Sequence, residues 1–190
     1  RIDFSGLGKS GGKFEDSSFL TNLDDLLTSA AWLGENFHAP KLLIGHSLGG
    51  AVALAAASRI DSITAVATLG APFDPGHVTH LFGDHLDEIK REGKANVKLA
   101  GRNFVVGEKF LNDFEAHCQD CDLGQLDGVS TLIMHSPTDD VVPLENAGKI
   151  YSALRHPKSF ISLAGTDHLL TRANDAEYVA DLISLWASRA

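Results

Sequence analysis

Apolar positions along this chain fall into two spacings. Leu23, Leu26, Leu27, Ala30, Leu33 and Phe37 recur every three or four residues, the period of a helix with one buried face. Pro40 ends that pattern. Lys41-Leu42-Leu43-Ile44 follows as a short apolar run suited to a buried strand. Leu48 to Arg59 is rich in alanine and reads as a helix able to lie close to a sheet, and Ile63 to Leu69 reads as another buried strand. After a long break, Val129 to Met134 returns to strand character. Pro143 suits the first turn of a helix running to about Leu154. Ser159 to Leu163 reads as a last strand. Asn174 and Glu177 suggest a capping box for a helix with Val179, Leu182, Ile183 and Trp186 on one face. At the other end, Arg1 to Phe4 read as the end of a strand, and Ser5 to Lys13 as a glycine- and serine-rich loop.

Strands alternating with helices predict an α/β fold, a mostly parallel sheet with helices on both faces. From Pro72 to about Asp127 the alternation lapses and charges become dense, as in Asp84-His85-Leu86-Asp87-Glu88-Ile89-Lys90-Arg91. Asn96 to Val106 reads as a hairpin turning at Gly101-Arg102. The expectation is one domain over residues 1–190 with an insertion at about 73–127 lying over the main layer.

Composition and charge narrow the function classes. The chain has 190 residues, 44% of them apolar and 22% charged, which suffices for one core. The net charge of −9 offers no excess cation for nucleic-acid phosphates or for an anionic membrane. No apolar run reaches membrane-spanning length. Cys118 and Cys121 make no disulfide framework. These features read as a soluble, cytoplasmic protein. The chain starts at Arg1 and its only methionine is Met134, so it reads as a fragment or a processed piece.

Residues 41–53, KLLIGHSLGGAVA, place Gly45, Ser47 and Gly49 in a G-x-S-x-G pattern between the strand and the alanine-rich helix. A sharp strand-to-helix turn there would lift the Ser47 hydroxyl above the sheet edge. Cβ atoms at the neighbouring glycines would collide with the strand and helix. The same turn aims the Leu48 N–H, at the helix N-terminus, where negative charge would develop on a substrate oxygen. The plainer alternative is a glycine-rich loop ending in an N-cap serine.

A serine hydroxyl needs a base to remove its proton. In folds built around such a strand–serine–helix elbow, the chain order is serine, then an acid, then a histidine. Residues 131–143, TLIMHSPTDDVVP, are a strand followed by a loop carrying Asp139 and Asp140. Residues 163–170, LAGTDHLL, are a loop after a strand, carrying Asp167 and His168. Parallel strands deliver these loops to one rim. His168 would take the Ser47 proton, and one of the two aspartates would orient the imidazole. Asp167 reads as a loop hydrogen-bond partner, and His46 and His135 as packing beside the elbow and the acid loop.

Other motifs weigh less. Gly6 to Gly11 fits G-x-G-x-x-G, but loop residues continue where a dinucleotide site would open a helix. Cys118-Gln119-Asp120-Cys121 with His117 lacks the four ligands of a structural zinc site. No metal or organic cofactor is required. The 84–94 stretch, Asp24 and Asp25 read as solvated helix faces.

The segments DFSGLGKSGG (3–12), APKLLIGHSLGG (39–50), VATLGAPFDPGHVTHLF (66–82) and HPKSFISLAGTDHLL (156–170) resemble α/β-hydrolases of the serine-esterase and aminopeptidase-like group. The nearest resemblance is to the hydrolase half of bacterial proteins that also carry an OsmC-type peroxide-reducing domain. It implies an α/β-hydrolase fold with a helical and hairpin cap. It also implies a Ser47-Asp139-His168 triad, because Asp139 to Pro143 matches the family's D-x-x-V-P. The implied substrate is a small ester or other acyl compound, with amide, peptide, thioester and acyl-transfer chemistry left open. Asp3, Gly6, Gly8 and Ser10 are implied to form a structural turn. Two departures stand out. His135-Ser136 replaces the usual His-Gly. The family's first three strands, with one oxyanion donor, would precede residue 3. The competing class is a non-catalytic hydrolase-like module supporting a fused OsmC-type domain.

Overall fold

The short apolar runs become the strands of one sheet, and the periodic stretches become the helices that cover it. The computed structural model of the chain describes residues 1–76, 82–83, 85–99, 102–117 and 123–190. In chain order the elements are α1 (Phe19–Asn36), β1 (Leu42–His46), α2 (Leu48–Ala57), β2 (Ala65–Leu69), α3 (Leu86–Glu92), β3 (Lys94–Leu99), β4 (Arg102–Gly107), α4 (Glu108–His117), β5 (Ser130–His135), α5 (Glu145–Ala153), β6 (Lys158–Ser162) and α6 (Asp175–Ala187).

β1, β2, β5 and β6 form a parallel sheet in that order. Its two faces carry separate apolar clusters. Leu43, Val66 and Ile133 pack with α1, α2 and α5 through Leu23, Val52, Ala56, Ile150 and Leu154. Ala67, Leu69, Leu132 and Met134 pack with α6 through Val179 and Ile183. The expected two-sided cover of a parallel sheet is therefore present. Alanines on α2 allow its backbone to approach the sheet, and Val52, Ala53 and Ala56 are completely buried.

The antiparallel hairpin β3–β4 lies in the insertion, as its pattern predicts; its tip at 100–101 lies outside the described residues. The insertion joins the main core. Phe104 and Phe110 sit 4.8 Å and 5.7 Å from the Phe14 ring, and Lys94 Nζ lies 3.0 Å from Glu15 Oε2. Within the charged stretch, α3 buries only Ile89 and turns Lys90 and Arg91 to solvent. Residue 84 lies outside the described residues.

Five expectations are corrected. Arg1 to Phe4 lie outside the sheet, because a strand forms only where a neighbour offers a hydrogen-bonding ladder and none meets them among the described residues. β1 alternates, with Leu43 and Gly45 covered but Ile44 55% exposed, because among the described residues its Leu43 face meets the larger core while its other face is only partly covered, at Leu42. Phe37 caps α1 instead of extending its buried stripe and stands 67% exposed beside Trp32. Asn174 precedes α6, but its side chain caps nothing, because its backbone is already helical at φ −104° and ψ −3°. Asp25 is not merely solvated: its carboxylate accepts from the Ser5 N–H at 2.7 Å and the Ser5 hydroxyl at 3.1 Å, pinning the glycine-rich loop to α1. Pro143 stands one residue before the Leu144 cap of α5, a shift within the usual uncertainty of helix ends.

Candidate active site

In a parallel sheet every strand ends at the same rim, so the residues just after β1, β2, β5 and β6 become neighbours. The rim is laced by backbone bonds that continue the ladder. The Ser47 N–H donates to Leu69 O at 2.8 Å, Gly70 N–H to Met134 O at 2.9 Å and Leu163 N–H to His135 O at 2.8 Å. Ser47, Gly70, the Asp139 loop and the His168 loop therefore meet.

Ser47 has φ 53° and ψ −127°, a costly backbone conformation for a residue with a Cβ. The turn is tight enough that a Cβ on Gly45 would stand 2.2 Å from Gly49 O, and one on Gly50 would stand 2.7 Å from the Ala71 Cβ. Gly49, the motif's last glycine, has room: its nearest neighbour would be Phe4 Cε2 at 4.0 Å. The expected collision thus holds for Gly45 and extends to Gly50 but not to Gly49. Leu48 is the first residue of α2, and a helix offers its first N–H no internal acceptor.

His168 Nε2 lies 3.1 Å from Ser47 Oγ, and His168 Nδ1 lies 2.7 Å from Asp139 Oδ2. The carboxylate can only accept, so Nδ1 carries the proton and Nε2 faces the hydroxyl with a lone pair. His168 is 6% exposed, and the Asp139 side chain is 1% exposed. Burial alone would raise the Asp139 carboxyl. Hydrogen bonds from His168, from the Val142 N–H at 2.8 Å and from the Val141 N–H at 3.0 Å outweigh it and hold the group below its ordinary 3.8. Asp140 points to solvent. Asp167 is exposed and engages the Thr171 N–H and hydroxyl. Such an arrangement can take a proton from a hydroxyl and stabilise the cation that results.

Both accessory histidines pack as expected. His46 Nε2 donates to the His168 carbonyl at 2.7 Å, and its ring centroid lies 4.8 Å from that of His168. His135 is buried and donates from Nε2 to Val142 O at 2.8 Å, which holds the acid loop from beneath. Asp3 organises the glycine-rich loop by accepting from the Lys9 N–H at 3.0 Å, while the Ser10 hydroxyl donates to Asp3 O at 2.5 Å. No helix opens at residues 6–11, which removes the basis for a dinucleotide site there. Cys118 and Cys121 lie outside the described residues. Among the described residues no helix is long and apolar enough to cross a membrane.

Residues 1–182 match the model of the alpha/beta hydrolase family. The chain belongs to that family. Among solved structures, an esterase domain from a Rhodothermus marinus protein is 38% identical, with a TM-score of 0.74 over 94% of this chain and 73% of that one. A putative hydrolase from Agrobacterium vitis S4 is 20% identical, with a TM-score of 0.75 over 96% of this chain and 74% of that one. Alpha/beta hydrolase domain-containing protein 10 from mouse is 23% identical, with a TM-score of 0.74 over 98% and 76% of the two chains. The last two show the fold alone. No curated protein matches the chain.

In this alpha/beta hydrolase, one residue outside the relay ties the acid loop to the histidine loop. Ser136, at the position where glycine was expected, is buried, and its hydroxyl donates to Thr166 O at 2.6 Å. Its only sequence signal was the departure from His-Gly.

Proposed function

We propose that this chain is a serine hydrolase that cleaves a carboxylic ester or a related acyl compound through an acyl-enzyme on Ser47. Membership of the alpha/beta hydrolase family supports hydrolysis as the reaction class. The observation that carries the finer reading is the relay of 3.1 Å and 2.7 Å from Ser47 Oγ through His168 to Asp139.

In this mechanism His168 Nε2 accepts the Ser47 proton as Oγ attacks the substrate carbonyl carbon. The Leu48 N–H donates to the oxyanion. The carbon–oxygen bond to the leaving group breaks, and Nε2 returns the proton to the departing alkoxide. Water then attacks the acyl carbon, giving its proton to Nε2, and Ser47 Oγ leaves and recovers that proton. Asp139 stabilises the imidazolium throughout and fixes its tautomer. The insertion at about 73–127 serves as the cap that shapes the substrate site. The partner is a small acyl substrate, and no metal or organic cofactor takes part.

A purely structural module would have no use for the strained Ser47 backbone. The likeness to hydrolases joined to OsmC-type domains, and a cytoplasmic setting, remain part of the proposal. Reading the gene on both sides of this stretch tests the former. For the chemistry, a fluorophosphonate probe should label the protein and fail to label Ser47→Ala. Absence of labelling in folded protein rejects the reading.

A further inference from the structure

Two side chains outside the Ser47–His168–Asp139 relay hold the backbone of the loop that carries the histidine. The Ser136 hydroxyl, leaving β5, donates to Thr166 O at 2.6 Å. The His46 ring, at the end of β1, donates from Nε2 to His168 O at 2.7 Å. The two gripped carbonyls are those of the residue two before the base and of the base itself. Each bond joins the histidine loop to a strand end remote in sequence, and neither belongs to the sheet ladder.

The chemistry of each contact is fixed. A carbonyl oxygen only accepts, so His46 carries its hydrogen on Nε2. Partial burial disfavours the His46 cation, so the ring is held below its ordinary 6.5. Its ring also lies against the His168 ring with 4.8 Å between centroids, blocking one direction of swing. Ser136 is 3% exposed and accepts from the Thr138 N–H at 3.2 Å, so its hydroxyl ties the turn before Asp139 to the loop holding His168. Thr138 Oγ1 stands 3.5 Å from the same Thr166 carbonyl, too far to replace it.

We propose that His46 and Ser136 are positioning residues, which set the distance and angle of the His168 imidazole between Ser47 and Asp139 through the backbone carbonyls of His168 and Thr166. This inference rests on the serine-hydrolase reading. A base displaced by a fraction of an ångström transfers a proton poorly, and misplacement of about 1 Å can cost about a hundredfold. Asp139 and Ser47 hold the ring through its two nitrogens, and these two bonds hold the backbone that carries it.

The test compares His46→Phe, His46→Gln and Ser136→Ala in the full chain. Phenylalanine keeps a ring and loses the donor; glutamine keeps a donor and loses the ring. The first readout is the rate of Ser47 labelling by the fluorophosphonate. The second is the imidazole Nδ1 proton of His168 in NMR spectra, which does not depend on activity. Phenylalanine at 46 and alanine at 136 should slow labelling by about tenfold or more. They should also broaden or shift the Nδ1 proton in protein that remains folded. Glutamine should restore most of the rate. Because His46 is partly exposed, its variants should fold even where Ser136→Ala does not. Wild-type labelling rates with an unaltered Nδ1 signal in the His46 variants overturn the proposal. If the wild type itself fails to label, the hydrolase reading falls, and an unperturbed Nδ1 signal in the variants would then remove the positioning role as well.

Discussion

Gly70 stands directly behind the Asp139–His168 hydrogen bond. A Cβ at this position would lie 3.1 Å from Asp139 Oδ2 and 3.2 Å from His168 Nδ1, and the residue has φ 54°. Alanine here would strain the backbone by about 1 kcal/mol and press on both partners of the bond. Gly70→Ala should therefore lose at least about tenfold in labelling rate, with a smaller fall in melting temperature. A variant as active as the wild type would show that the rim has slack the distances do not suggest.

The two motif glycines should behave differently. Gly45→Ala forces a Cβ to 2.2 Å from the Gly49 carbonyl, where only backbone movement gives relief. It should yield little folded protein. Gly49→Ala meets nothing closer than 4.0 Å, and alanine favours a helix start over glycine. Its stability should stay within about 0.5 kcal/mol of the wild type or rise slightly. Urea titration of both variants decides the contrast.

Asp139 links stability to pH. Its carboxyl is held below its ordinary 3.8 in the folded protein, so the unfolded chain takes up its proton first as pH falls. Its stabilising contribution is complete above that ordinary value and is lost as pH drops through the lower folded value. Asp139→Asn should flatten this part of the stability profile when urea midpoints are measured between neutral and acid pH. Labelling should fall by about three to four orders of magnitude, since the amide favours the wrong imidazole tautomer.

The relay was legible because each member lies just past the end of an apolar run. Runs that become parallel strands must deliver their following loops to one rim. Choosing Asp139 over Asp140 needed more than the run, since only one of two adjacent carboxylates can face inward. The grip of His46 and Ser136 was not legible: their acceptors are backbone carbonyls 122 and 30 positions away, and a carbonyl leaves no mark in sequence. Local patterns also misled where burial depends on a partner. The Leu42–His46 pattern cannot say which face of β1 is covered, and Asn174-Glu177 resembles a cap although the Asn174 backbone forbids one.

The functional capping box is instead at Ser18 and Thr21, ahead of α1. The Ser18 hydroxyl accepts from the Thr21 N–H at 3.2 Å, and Thr21 Oγ1 accepts from the Ser18 N–H at 2.7 Å. Threonine replaces the usual glutamate or glutamine, which hid it from a motif reading. Ser18 is completely buried, so its loss leaves an amide without a partner and without water. Ser18→Ala should cost about 1–2 kcal/mol in urea unfolding. The hydrogen bonds of this cap run between Ser18 and Thr21 and include none of Ser47, His168 and Asp139, so the backbone at Ser47 should keep its geometry and labelling of folded protein should proceed at the wild-type rate. A matching loss of labelling at a pH and temperature where the variant is fully folded would mean that the entry to α1 shapes the site directly.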